Sequence, residues 1–218
     1  MRFTNRRDAG QRLAEALEKY KEQRPVILAL PRGGVPVAAE ISTRLSALLD
    51  LILVRKIGVP AQPELAMGAV ADGATPIVVR NEEIIREVGV DDPSFRRAQD
   101  HELKEIERRR RCYLGDRPFV DIADRLAIIV DDGVATGATT RAALRSASSR
   151  KPSQIVLAVP VAPARAVAQL RQEVDEVICL QTPKDFYAIG AYYDDFAQVS
   201  DDEVRRLLLD HRPGANRA

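Results

Sequence analysis

Leu126-Ala-Ile-Ile-Val-Asp-Asp-Gly-Val-Ala-Thr-Gly-Ala-Thr-Thr140 sets the frame for the residues on either side of it. Leu126 to Val130 is an apolar run with no alternation, the pattern of a strand buried on both faces. Two adjacent carboxylates follow, Asp131 and Asp132. Gly133 and Gly137 then bracket three small residues, and from Arg141 the pattern turns helical. The order is buried strand, acid pair, small-residue loop, helix start.

Each part has a chemical use. A loop without bulky side chains lets backbone N–H groups surround a phosphate, and the helix behind it adds free donors and the positive end of its dipole. Thr136, Thr139 and Thr140 offer hydroxyls to the same oxygens, with Ala135, Gly137 and Ala138 supplying backbone. The acid pair would repel phosphate. It suits a vicinal diol, whose hydroxyls donate to carboxylates, or a metal held nearby. A diol beside a phosphate describes a ribose 5-phosphate site. The same residues also serve a plain βα turn with Asp and Thr as helix caps.

Val130-Asp-Asp-Gly-Val-Ala-Thr-Gly-Ala-Thr139 resembles the phosphoribosyl-pyrophosphate (PRPP) motif of the type I phosphoribosyltransferases. The resemblance implies a Rossmann-like, mostly parallel α/β sheet flanked by helices. It implies transfer of a 5-phosphoribosyl group from PRPP to a nitrogenous base or amine, with Mg2+ and release of pyrophosphate. Asp131 and Asp132 would hold the ribose hydroxyls and a share of the Mg2+, and Ala135 to Thr140 the 5-phosphate. Proteins of this fold also include PRPP- or nucleotide-binding regulators that need no turnover, the alternative reading. Family members commonly form homodimers.

Val26-Ile-Leu-Ala-Leu30 is a second fully apolar strand. It runs into Pro31-Arg-Gly-Gly34 and a helix expected over 35–49, with Pro36 in its first turn. Gly-Gly makes a tight βα turn. By the resemblance it also marks the pyrophosphate loop, where Arg32 and the Gly33 and Gly34 amides would grip the leaving group. Leu51-Ile-Leu-Val-Arg-Lys56 is expected as a third strand, placing Lys56 at its C-terminal end, as a phosphate ligand or a solvated lysine. Residues 57–64 carry Gly58, Pro60 and Pro63 and are expected as a loop, which in the family covers the site. Residues 66–71 and 75–79 are expected as paired strands about an Asp72-Gly73 turn.

Residues 81–113 depart from a minimal member of the family. They predict a short helix over Glu82 to Val88, a break at Gly89, and a longer helix to Arg111. The run Arg108 to Arg111 fits either an anionic partner or a helix C-terminus favoured by the macrodipole. Further buried strands are expected over 154–159 and 176–180, with a helix between them. Gln181 to Phe196 gathers Phe186, Tyr187, Tyr192, Tyr193 and Phe196. Flat rings suit stacking on a flat acceptor. By loose similarity to purine-type members, Lys184 and Phe186 or Tyr187 would hold it. The same rings also suit a small subdomain core.

The 218 residues are 45% hydrophobic and 30% charged, with a formal net charge of +1. That supports a sizeable core and lacks the basic excess of nucleic-acid binding. Cys112 and Cys179 lie far apart without metal-ligand spacing, as in a reducing compartment. No apolar stretch reaches membrane-spanning length, and the first residues lack a signal peptide's apolar core, so a cytoplasmic protein is expected. A single domain is expected over residues 1–218. Its core covers about 24–180, its helical insertion about 81–115, and its hood 181–200 together with the N-terminal helix.

Overall fold

A computed structural model describes residues 2–73 and 75–211 of the chain. The first helix, α1 (Arg6–Ala16), starts where Asn5 accepts the Asp8 N–H at 3.0 Å. A 3-10 turn over Glu18–Gln23 carries it on, until Arg24 in the left-handed region and Pro25 stop it. Strand β1 (Val26–Ala29) follows, fully buried, and then helix α2 (Gly34–Leu45).

Helix α2 ends earlier than expected. Apolar spacing continues helically through Leu48 and Leu49, but Ser46 turns left-handed (φ 51°) and Leu48–Leu51 pairs beside β1 as strand β2. The apolar run after it also hides a change of sheet. The Ile52 N–H still reaches the Ala29 carbonyl, whereas the Leu53 N–H donates to the Asp72 carboxylate at 2.9 Å. The chain then enters strand β3 (Val54–Val59) in a second sheet, so the expected strand over 51–56 is two pieces of different strands. The expected loop over 57–64 is mostly strand as well. β3 turns through Pro60 and Ala61 into β4 (Gln62–Ala71), with register shifts at Gly58. A Cβ on Gly58 would meet the Pro63 carbonyl at 2.5 Å, so that crossing needs glycine. β5 (Ile77–Arg80) completes this antiparallel sheet, paired as expected with β4.

The helix pair matches the sequence reading: α3 (Glu82–Val88), capped by Asn81 and ended by Gly89 at φ 71°, then α4 (Asp92–Leu114), capped by Asp91. After it come β6 (Leu126–Val130), α5 (Ala138–Ser149), β7 (Gln154–Val161), α6 (Ala164–Leu170) and β8 (Glu176–Gln181). A 3-10 turn over Ile189–Tyr192 and helix α7 (Asp201–Asp210) follow. The expected frayed tail lies beyond His211, outside the described residues.

The main sheet is parallel throughout, in the order β2-β1-β6-β7-β8. Its side chains alternate between two layers. Ile27, Ala29, Ile128 and Val130 pack toward α1 and α2. Val26, Leu28, Ala127 and Ile129 pack toward α5 and α6. Burying each Val, Leu or Ile contributes roughly 1.5–3 kcal/mol, so this double layer fixes the strand ends on which the site sits. No helix among the described residues is long and apolar enough to cross a membrane.

Candidate active site

β1 and β6 are neighbours in register, with Ala29 opposite Val130, and the Leu30 N–H donates to the Val130 carbonyl at 2.9 Å. Both motifs therefore leave the sheet side by side. A Cβ on Gly34 would stand 2.7 Å from the Val130 carbonyl. Only two glycines let the turn lie against the acid pair this closely. The Pro31–Arg32 peptide is cis.

The loop after the acids is anchored by the Val134 N–H on the Val161 carbonyl at 2.9 Å. Gly137 takes φ 79°, a left-handed conformation costly for other residues, and launches α5. Helices α1, α3, α4 and α7 are each capped by a side chain, from Asn5, Asn81, Asp91 and Ser200. α2 and α5 have no side-chain cap and no acidic residue in the first turn. The α5 start leaves donors and dipole uncompensated beside its motif, the condition for holding an anion. At α2 the Gly34 N–H is held by the Leu30 carbonyl at 3.0 Å and the Val35 N–H by the Arg32 carbonyl at 3.2 Å, and Pro36 has none, so the Gly34 amide expected as a donor is already taken and this turn offers Arg32 instead. Ala135, Thr136, Ala138 and Thr139 are exposed around the α5 start; Gly137 and Thr140 are buried.

Asp131 is partly exposed and accepts the Asp132 N–H at 2.9 Å. Burial and the neighbouring Asp132 charge hold its carboxyl well above the usual carboxylate range. Burial raises Asp132 too, against the pull of Arg6. Arg6 is the residue that sequence reasoning missed. Its Nε donates to Asp132 Oδ2 at 2.7 Å, its Nη1 to the Ala197 carbonyl at 2.8 Å, and its guanidinium lies 3.8 Å from the Phe196 ring centre. Tyr193 adds a bond from its hydroxyl to the Asp132 carbonyl at 2.6 Å. No sequence motif marks Arg6, and only the structure shows an arginine at the first position of α1 facing the acids.

Arg32 projects beside α7, its Nη1 3.6 Å from Asp201 Oδ1. A cavity of about 380 Å3 opens there, lined by Arg32, Val199, Asp201, Asp202 and Arg205 among others. Lys56 is not at the end of a core strand. It lies within β3 opposite Ala69, and its Nζ bonds the Glu64 carbonyl at 3.1 Å and the Glu64 carboxylate at 3.3 Å. It lines a cavity of about 690 Å3 between the β3–β4 hairpin and α4, together with Pro60, Arg97 and His101. That cavity includes neither acid nor Arg32. In the segment after β8, Lys184 is exposed, Phe186 stacks on Tyr192 at 5.6 Å between ring centres, and Tyr187 stands 88% exposed.

Neither histidine meets the motifs. His101 faces the hairpin cavity, and His211 contacts Thr43 and the Leu207 carbonyl. The basic run pairs with acids of its own surroundings: Arg108 and Arg109 with Glu105, Arg111 with Glu107, Arg110 with buried Asp72. Glu105 serves both Arg108 and Arg109, and the Arg108 and Arg111 side chains stay mostly exposed, so the run keeps part of its charge at the surface. Among the described residues no cluster of three or more His, Cys, Asp or Glu could hold a metal. A divalent ion would thus lack a protein cage. Asp131, with Asp132 turned to Arg6, fits an ion coordinated mainly by a ligand's own phosphates and by water.

The fold is a five-stranded parallel α/β sheet in which two glycine-bearing turns leave the C-terminal ends of adjacent strands. The chain belongs to the phosphoribosyl transferase family, whose phosphoribosyl transferase domain matches residues 4–197. It is similar to two curated proteins of Mycobacterium tuberculosis, from strains CDC 1551 and H37Rv, both provisionally named phosphoribosyl transferase. Each is 44% identical over 206 residues, 94% of this chain and 46% of the relative. The chain thus spans about half the length of these relatives. A crystal structure of TT1426 from Thermus thermophilus is 42% identical, with a TM-score of 0.84 over 98% of this chain and 100% of that one.

Proposed function

We propose that the chain transfers a 5-phosphoribosyl group from PRPP to a nitrogenous base or amine. The C1–O bond to pyrophosphate breaks, a C1–N bond forms, pyrophosphate departs with the electron pair, and the proton released by the acceptor nitrogen passes to pyrophosphate or water. The observation that carries this reading is the meeting of the uncapped α5 start and the Arg32-bearing turn before α2 at one acid pair on adjacent strands. One anion is expected at the α5 start and one at Arg32, with a diol between them.

Such a transition state develops positive charge on the sugar and negative charge on the leaving group. It needs positioning and electrostatic support more than covalent help. Asp131 and Asp132 orient the ribose hydroxyls. The amides and hydroxyls of Ala135 to Thr140 hold the 5-phosphate. Arg32 with the Gly33 amide receives pyrophosphate, the Gly34 N–H being held by the Leu30 carbonyl. Asp131 is the residue that would hold a share of Mg2+, which would supply charge neutralisation for the leaving pyrophosphate. The β3–β4 hairpin would exclude water on closing; Lys56, bonded to Glu64 and facing a cavity apart from Asp131, Asp132 and Arg32, takes no part in that step. Within this reading the chain is one domain: a core over 24–180 carrying the helical insertion 81–115, and a hood formed by 181–200 with α1. The hood offers Lys184, Phe186 and Tyr187 to the acceptor. The protein works in the cytoplasm, as a homodimer.

A pyrophosphate-release assay with PRPP, Mg2+ and a panel of purines, pyrimidines and amines tests this. Release that depends on one acceptor supports it. PRPP binding without release for any acceptor overturns the transferase reading in favour of a ligand-sensing protein.

A further inference from the structure

Arg32 and Tyr113 meet on one carboxylate oxygen. Tyr113 sits in the last turn of α4, only 7% exposed, and its hydroxyl donates to Asp201 Oδ1 at 2.7 Å. Arg32 Nη1 approaches the same oxygen at 3.6 Å, with side chains 34% and 45% exposed. An ion pair that long and that wet adds little stability. Its consequence is orientation.

Asp201 is free for this task. Ser200 caps α7 by accepting the Glu203 N–H at 3.1 Å, and Asp202 and Glu203 already supply negative charge in the first turn. The Asp201 carboxylate faces the β1–α2 turn instead. The phenol bond fixes that carboxylate from one side, and the fixed carboxylate holds one edge of the guanidinium. An arginine has five N–H donors. Using one edge on Asp201 leaves others for phosphate oxygens, with less rotamer freedom to lose on binding.

We propose that Asp201 is a positioning residue for Arg32, and that the Tyr113 hydroxyl couples the helix pair α3–α4 to the pyrophosphate loop through it. This rests on reading Pro31 to Gly34 as that loop. It gives the helix pair, the part of the chain that departs from a minimal family member, a function at the donor site.

The experiment measures pyrophosphate binding directly, by calorimetry with Mg2+, in the full chain and in Tyr113→Phe, Asp201→Asn and the double variant. Tyr113→Phe keeps the ring and removes one hydroxyl. Losing one such hydrogen bond predicts a Kd raised roughly 3- to 10-fold. Asp201→Asn should match it, and the double variant should add less than a further twofold, because both act through Arg32. In turnover the variants should raise KM for PRPP and leave KM for the acceptor in place, a split that general loosening would not produce. Unchanged or tighter pyrophosphate binding, or fully additive losses, overturns the proposal. So does a wild-type chain that binds no pyrophosphate. A wild type that binds pyrophosphate but releases none from PRPP sinks only the transferase reading, since the binding series still decides this one.

Discussion

Gly33 stands directly against the carboxylate of Asp132: a Cβ on that glycine would lie 2.0 Å from Oδ2 and 2.5 Å from Cγ. The contact joins a turn on β1 to an acid on β6, more than ninety residues later in the chain. Neither group can move without the other. Gly33→Ala is therefore expected to push Asp132 off Arg6 and to lower stability by about 1–3 kcal/mol, as overpacking does. It should also weaken PRPP binding at least tenfold. Urea unfolding and a PRPP titration check both; unchanged values would contradict the packing.

The Arg6–Asp132 pair is nearly closed to water, with side chains 12% and 11% exposed. Removing one partner of such a pair leaves a buried charge without compensation. Arg6→Met should cost about 3 kcal/mol in unfolding free energy, and Arg6→Lys should recover part of it. Equal stability of wild type and Arg6→Met would show that Asp132 is solvated.

Asp72 gives a pH dependence of known sign. Burial pushes its carboxyl from 3.8 up to about 6, against the pull of the Leu53 N–H and Arg110. A raised folded value means the protonated form is favoured by folding. Its contribution is complete below pH 3.8 and is lost as pH rises through about 6. The loss amounts to roughly 3 kcal/mol. Asp72→Asn should therefore gain stability relative to wild type as pH rises from about 4 to about 7. Urea midpoints at several pH values show whether the difference grows; a constant difference would contradict the burial account.

The strands, the acid pair and the capped helices are legible in the sequence because they rest on local rules. Leu126 to Val130 is apolar without a break, and Asn5, Asn81 and Asp91 sit where caps belong. Lys56 is misplaced by such rules because the apolar run from Leu51 to Val54 gives no sign of where one sheet ends. That break is made by Asp72, nineteen residues after Leu53, through a side-chain bond to its N–H. Arg6 and Asp201 look like ordinary helix residues for the same reason. Their partners, Asp132 and Arg32, are distant in sequence, and no periodicity encodes such a meeting.

Tyr187 is 88% exposed, whereas Phe186 is stacked on Tyr192. Tyr187→Ala should leave stability within about 0.5 kcal/mol of wild type, while raising KM for the acceptor and not for PRPP. An unchanged acceptor KM would place the acceptor away from this ring.

The central claim is that Asp131 and Asp132 receive the ribose hydroxyls of PRPP. Comparing acceptor-dependent pyrophosphate release by wild type and Asp131→Asn tests it most directly. Loss of a transition-state contact of this kind predicts kcat/KM for PRPP lowered about 100-fold or more, with the fold intact by circular dichroism. Undiminished release by Asp131→Asn would contradict the account.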